Sequence, residues 1–241
     1  MDSEIEKLRS LFETVDDKRA PNCSHKLEDI LMSGFAMFLL KHPSLLSFEE
    51  QNEVEKENLK NVFGIPKICS DAQLRKVLDD VNPDFLRIEF SKKFKLLEKA
   101  GFVTEYGYKI GSKKYLIASN DGVQHFSSKN CSCDKCLKKE HKNGSTTYHH
   151  NMLCCALVHP DKREVFMLDS EPIINEDGTT KNDCERNAAK RLLKNMKKNY
   201  SSSIEKYNFL MVEDALYANE PHILDLMDKG FDYIINVKPT S

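Results

Sequence analysis

Two aspartates stand directly after apolar runs of the kind that form strands. Asp121 closes a polar group that follows residues 115–118, and Asp214 comes just after residues 209–212. Ligand sites in α/β sheets gather at the carboxyl ends of strands, so neighbouring strands would bring the two carboxylates together. Paired carboxylates repel unless a cation lies between them, and Mg²⁺ or Mn²⁺ there would suit phosphoryl transfer. An Asp after a strand is also a common turn or cap residue, so position alone leaves both readings open.

A second candidate metal site lies in a polar insert at residues 128–150. Cys133 and Cys136 have the two-residue gap that lets both thiolates reach one zinc ion. Cys131, His141, His149 and His150 are the candidates to complete the site, and the predicted Zn²⁺ ligands are Cys133, Cys136, His141 and His149. Free thiols in a polar loop are the alternative. Disulfides are not expected, because the chain begins without an export signal and cytosolic thiols stay reduced.

Charge is distributed unevenly along a chain whose formal net charge is only −2. Seven basic residues and one acid lie within residues 186–206, and the stretch 101–150 is also basic. A basic helix face beside a carboxylate site is expected where a phosphate backbone is held near metal-dependent chemistry. Basic helix faces are also common solvated surfaces.

The 241 residues are enough for one or two domains. No apolar run approaches the ~18–20 residues of a membrane span, so we expect a cytoplasmic protein with no membrane partner.

Periodicity divides the chain into a helical part and an α/β part. Apolar spacing and capping boxes at Ser47 and Ser70 predict helices over 24–40, 47–64, 70–78 and 82–101. After Gly101, short apolar runs predict strands at 115–118, with 123–127 as a hairpin partner, and at 148–159, 164–168, 209–212 and 231–237. Helices are predicted at 182–198 and 220–229. The predicted domains are a helical region at 1–105 and an α/β region at 106–241.

Several stretches resemble the DDE transposases of bacterial insertion sequences, enzymes with a ribonuclease H-like catalytic domain. The similar strings are residues 29–36, 41–46, 70–79 and 159–165, and most specifically 181–191 and 213–222. The resemblance implies an incomplete ribonuclease H-like mixed sheet with helices, preceded by a helical region for DNA-end binding or dimerisation. It also implies metal-dependent cleavage and transfer of DNA strands.

The resemblance carries over to particular residues. Asp121 matches the first catalytic acid, although Val123 departs from the usual Asp-Gly-Thr, and Asp214 matches the second. These two would hold Mg²⁺ or Mn²⁺. The expected contacts to DNA, both element ends and target, are Arg186, Lys190, Arg191 and Lys194. A homodimer is a further expected partner.

The third family acid, a Glu on a later helix, has no counterpart before residue 241. We therefore expect a truncated copy that does not support efficient strand transfer. Two other interpretations remain open at this stage: a non-catalytic DNA-binding or dimerising remnant, and a zinc-dependent interaction module without a DNA role.

Overall fold

The computed structural model describes residues 2–174 and 184–238, and it divides the chain into two compact units between Phe85 and Leu86. The sequence predicts a domain boundary at residue 105 instead. Helices over residues 87–106 are grouped with the second unit. Residues 181–183, which begin the most specific family-like string, lie outside the described residues.

The first unit is helical. Its helices are α1 (Asp2–Phe12), α2 (Leu27–Leu39), α3 (Leu45–Glu50), α4 (Asn52–Phe63) and α5 (Asp71–Asp79). The predicted cap at Ser70 is confirmed, because its hydroxyl accepts a hydrogen bond from the Gln73 amide. The predicted cap at Ser47 is wrong. Ser44 caps that helix instead, and its hydroxyl accepts the Ser47 amide, so the helix begins three residues earlier.

The second unit packs helices on a mixed sheet. Its helices are α6 (Arg87–Lys99), α7 (Phe102–Tyr106), α8 (Glu185–Lys206) and α9 (Glu220–Lys229). Its strands are β1 (Tyr108–Ile110), β2 (Lys113–Ser128), β3 (Leu137–Glu140), β4 (Thr146–Val158), β5 (Phe166–Ile173), β6 (Asn208–Glu213) and β7 (Asp232–Ile235).

The sheet combines antiparallel and parallel pairing. Strand β4 pairs antiparallel with β2, β3 and β5, whereas β6 runs parallel to both β2 and β7. The order across the sheet is β3-β4-β2-β6-β7, with β5 also on β4 and β1 on β2. The predicted α/β architecture with a mixed sheet is confirmed.

Helix α8 covers one face of the sheet. Its buried side chains Ala188, Ala189, Leu192, Leu193 and Met196 join the core that includes Ala118 of β2 and Met211 of β6. These five residues were predicted as one apolar face, and their burial confirms the helical spacing. No helix in residues 2–174 and 184–238 is both long and apolar enough to cross a bilayer.

The predicted hairpin after residue 118 is wrong. Residues 113–128 form one strand of 16 residues, and Asp121 lies within it rather than in a turn. The polar group at residues 119–122 reads locally as a turn, but β4 pairs with β2 from Ile117 to Ser128 and supplies the backbone partners that keep this group extended.

Candidate functional site

Asp121 in β2 and Asp214, which directly follows the neighbouring strand β6, lie at matching levels. Strands β2 and β6 are parallel, with Ser119 opposite Val212. Asp121 and Asp214 are each two residues further along, and both are exposed. The register therefore brings the two predicted acids to the same edge of the paired strands.

Asp214 also has a local structural role. It precedes a short 3₁₀ turn at Ala215–Tyr217, and its Oδ1 accepts the Leu216 amide at 2.8 Å. Asp214 is therefore also a cap residue, which is the alternative role that its position after a strand allowed. It does not remove Asp214 from the site, because a carboxylate has two oxygens and several acceptor positions.

A third carboxylate, Glu185, approaches the same place from the start of α8. A Cβ atom built on Gly122 would lie 2.4 Å from Glu185 Oε1, so the side chain of Glu185 fills the space that the glycine leaves. Burial raises the pKa of Glu185 above its ordinary value, and the nearby charges of Asp214 and Asp121 raise it further. The three carboxylates therefore influence one another electrostatically.

Glu185 is not among the site residues predicted from the sequence. A usable signal was present, because Glu185 lies inside the family-like string at 181–191 and stands at the start of the basic helix. Its approach to Asp121 depends on how α8 packs across the sheet, which no local pattern records.

The oxygens of the three carboxylates are not clustered at one point. Among the described residues, the only group of three metal-ligating side chains whose ligand atoms all lie within 4.8 Å is Cys133, Cys136 and His150. Asp121, Asp214 and Glu185 do not meet that spacing together. Mg²⁺ usually binds through one or two carboxylates and keeps several waters, so the looser arrangement suits its coordination.

A buried polar network lies directly behind the two aspartates. Asn120 Nδ2 donates to Glu213 Oε1 at 2.7 Å, and His222 Nε2 lies 2.7 Å from Glu213 Oε2. All three side chains are buried. Since Asn120 and Glu213 immediately precede Asp121 and Asp214, this network fixes the two strands against each other and against α9.

The basic residues of α8 separate into two groups. Arg186, Lys190 and Lys194 are exposed and spaced by four residues, so they form one stripe on the helix surface. Arg191 is turned toward the sheet, where its Nε donates to Glu171 Oε1 at 2.7 Å. Of the four predicted DNA contacts, the structure therefore places three on a common solvent-facing stripe.

The cysteine insert brings together only part of its predicted ligand set. Cys133 and Cys136 meet His150, whose Nε2 lies 3.3 Å from each sulfur. His141 instead lies with its Nε2 3.0 Å from Thr147 Oγ1. Neither His141 nor His149 belongs to the group. Successive residues of a strand point to opposite faces, so only one of the adjacent His149 and His150 can face the cysteines.

The second unit is thus an α/β unit in which two aspartates at one edge of the mixed sheet lie near the first glutamate of a helix with a basic stripe. No protein-family model matches the sequence, and no curated protein matches it.

Two solved structures share weak similarity with the chain. One is the Mos1 mariner paired end complex with Mn, with a TM-score of 0.28 and 12% identity over 95% of this chain and 65% of that one. The other is a pre-cleavage Mos1 transpososome, with a TM-score of 0.24 and 10% identity over 95% of this chain and 64% of that one. The chain thus spans about 65% of the length of the first of these proteins.

Proposed function

We propose that this chain binds DNA and cleaves its strands through a divalent-metal site, as the resemblance to insertion-sequence transposases implies. The observation that carries the proposal is that Glu185 lies beside Gly122 and within electrostatic range of Asp121 and Asp214, at the end of α8 from which the basic stripe begins. By the same resemblance, the DNA comprises the ends of an element and its target.

The donor set fits a hard divalent cation. All three side chains offer carboxylate oxygens, which Mg²⁺ and Mn²⁺ prefer over sulfur or nitrogen ligands. Burial is the main cause of the raised pKa of Glu185, and the charges of Asp214 and Asp121 add a repulsion that a bound cation would relieve. When bound, such an ion would supply a Lewis acid and an activated water for attack on a phosphodiester.

The chain's own residues account for the remaining requirements. Strand pairing and the network of Asn120, Glu213 and His222 fix the backbone next to the two aspartates. Asp214 Oδ1 also accepts the Leu216 amide. Glu185 is carried to the two aspartates by the start of α8 and offers a further carboxylate beside Gly122. Arg186, Lys190 and Lys194 would neutralise phosphates of the bound strand.

Nicking of supercoiled plasmid DNA tests this proposal. We expect Mg²⁺- or Mn²⁺-dependent nicking by the full chain, and a loss of ~100-fold or more in Asp121→Asn, Asp214→Asn and Glu185→Gln, because each removes several kcal/mol of charge stabilisation. Glu220→Gln is a matched control for Glu185→Gln, since Glu220 also begins a helix but is exposed and outside the carboxylate group. This variant should nick like the unaltered chain.

Two results would contradict the proposal. Nicking that persists in Asp121→Asn would point to a contaminating nuclease or another site. Plasmid binding without nicking at any Mg²⁺ or Mn²⁺ concentration would instead support the non-catalytic DNA-binding interpretation.

A further inference from the structure

The loop that follows β2 and strand β4 bring two thiols and an imidazole together outside the carboxylate site. The Cys133 and Cys136 sulfurs lie 3.6 Å apart, and His150 Nε2 is 3.3 Å from both. A disulfide would place the sulfurs at ~2.05 Å, so the two thiols are adjacent but unbonded. The three atoms form a small triangle.

The size of this triangle matches a tetrahedral zinc site. Zinc binds thiolate sulfur at ~2.3 Å and imidazole nitrogen at ~2.0–2.1 Å. At a tetrahedral angle, these bond lengths separate two sulfurs by about 3.8 Å and a sulfur from the nitrogen by about 3.5 Å. The observed separations of 3.6 Å and 3.3 Å are each within about 0.2 Å of those values.

The backbone fixes this arrangement independently of the side-chain positions. In the β3–β4 pair, Leu137 lies opposite His149, and Cys136 directly precedes Leu137, so continuation of this register leads from Cys136 to His150. Cys133 is joined to Cys136 by a turn in which the Cys136 amide donates to the Cys133 carbonyl at 3.1 Å. Strand pairing and this turn therefore direct all three ligands to one point.

Further contacts hold two of the three ligands in place. The Cys133 amide donates to Cys136 Sγ at 3.3 Å. His150 is held between β2 rings, with Phe126 at 5.6 Å and His125 at 6.0 Å between ring centroids.

We propose that Cys133, Cys136 and His150 bind a structural Zn²⁺ ion that ties the loop after β2 and the start of β3 to β4. Two thiolates and an imidazole are the ligand chemistry that selects zinc over Mg²⁺ or Mn²⁺. Three protein ligands leave one position of the tetrahedron for solvent or a further side chain. This site does not depend on the proposed DNA cleavage.

Metal analysis of the purified full chain tests the assignment. We expect about one zinc per chain, and a fall to background in Cys133→Ser, Cys136→Ser and His150→Ala. His149→Ala changes the adjacent histidine, which lies outside the group, and Cys23→Ser removes an exposed cysteine of the first unit. Both controls should keep their zinc. The ligand assignment is overturned if His149→Ala loses the metal while His150→Ala retains it.

Cobalt substitution provides a measurement that does not depend on the variants folding. Co²⁺ added to the zinc-depleted chain should give the thiolate-to-cobalt absorption of a tetrahedral site, and zinc should abolish it. Chelation of zinc should lower the thermal midpoint of the unaltered chain, and added zinc should restore it. A chain that contains no zinc and gives no cobalt absorption would overturn the proposal, whether or not it nicks DNA.

Discussion

Glycine at position 122 matters because of what occupies the space beside it. Glu185 Oε1 lies where a side chain at this position would begin, 2.4 Å from the place of a Cβ atom. The Glu185 carboxylate is the end of a flexible side chain and can move, so the contact controls the position of a charged group more than it controls folding.

This contact gives a prediction for Gly122→Ala. The added methyl group should displace the Glu185 carboxylate and lower plasmid nicking by ~100-fold, since a misplacement of about 1 Å can cost that much. The free energy of unfolding should change by no more than ~1 kcal/mol, measured by chemical denaturation, because the displaced group can move aside.

Two comparisons separate this effect from general damage. Gly107→Ala would place a methyl group 2.9 Å from Lys114 Cε, a similar crowding of a flexible side chain, and should leave nicking unchanged. In a Glu185→Gln background, Gly122→Ala should cause no further loss. An equal loss in both backgrounds would show that the glycine acts through something other than Glu185.

At the scale of elements, a buried charge cluster joins α6, β5 and α8. Arg87 donates to Asp169 Oδ1 at 2.8 Å and to Glu171 Oε2 at 2.5 Å, and Arg191 donates to the other oxygen of Glu171. Asp169 and Glu171 are almost fully buried. Burial raises the pKa of Asp169, and Arg87 opposes that rise by favouring the charged form.

Arg87→Met should therefore destabilise the chain strongly. Removal of one partner from a buried ion pair leaves an uncompensated charge and costs ~3–5 kcal/mol. We expect a loss of that size in the free energy of unfolding from urea titration. Lys92→Met is the matched control, because Lys92 lies on the same helix in an exposed pair with Glu89. It should change stability by only ~0.5 kcal/mol, and equal losses in the two variants would contradict the role of the cluster.

Local patterns predicted the elements that local signals define. Strand β6 and the core face of α8 were predicted correctly. In both, the buried residues are the apolar ones, and their spacing along the chain is enough to identify the element. Strand β2 was divided wrongly, since the pairing with β4 that extends residues 119–122 comes from a distant part of the chain. The preference of the cysteines for His150 over His149 has the same origin, because it depends on the register between β3 and β4.

At the scale of the whole molecule, the net charge of −2 conceals a basic surface on one helix. Arg186, Lys190 and Lys194 are exposed, and no ion pair within residues 2–174 and 184–238 involves them. Their charges are thus available to a polyanion. Arg191 is already engaged with Glu171, so its contribution is to the fold.

This difference predicts a specific salt dependence of DNA binding. Lys190→Ala and Lys194→Ala should each reduce the slope of log affinity against log salt by ~0.9, because each lysine neutralises about one phosphate. Fluorescence anisotropy with a labelled duplex at several salt concentrations measures the slope.

Lys206→Ala is the control for the salt dependence. Lys206 is exposed at the end of the same helix but lies 2.6 Å from Glu98. Its removal should leave the slope unchanged. If all three variants change the slope equally, binding follows total charge and the stripe is not the DNA contact.

Strand β2 runs unbroken from the carboxylate site to the loop that holds the cysteines. Asp121 and Ser128 are seven residues apart along it, about 23 Å in an extended strand. Side chains alternate between the two faces, so removal of one residue from this interval would turn everything beyond it to the opposite face. The irregularity between Gln124 and Phe126 is a place where a single extra residue is already accommodated. The orientations of the two sites are therefore linked. Outside the irregularity, only an insertion or deletion of an even number of residues between Asp121 and Ser128 would leave both sites on their present faces of the sheet.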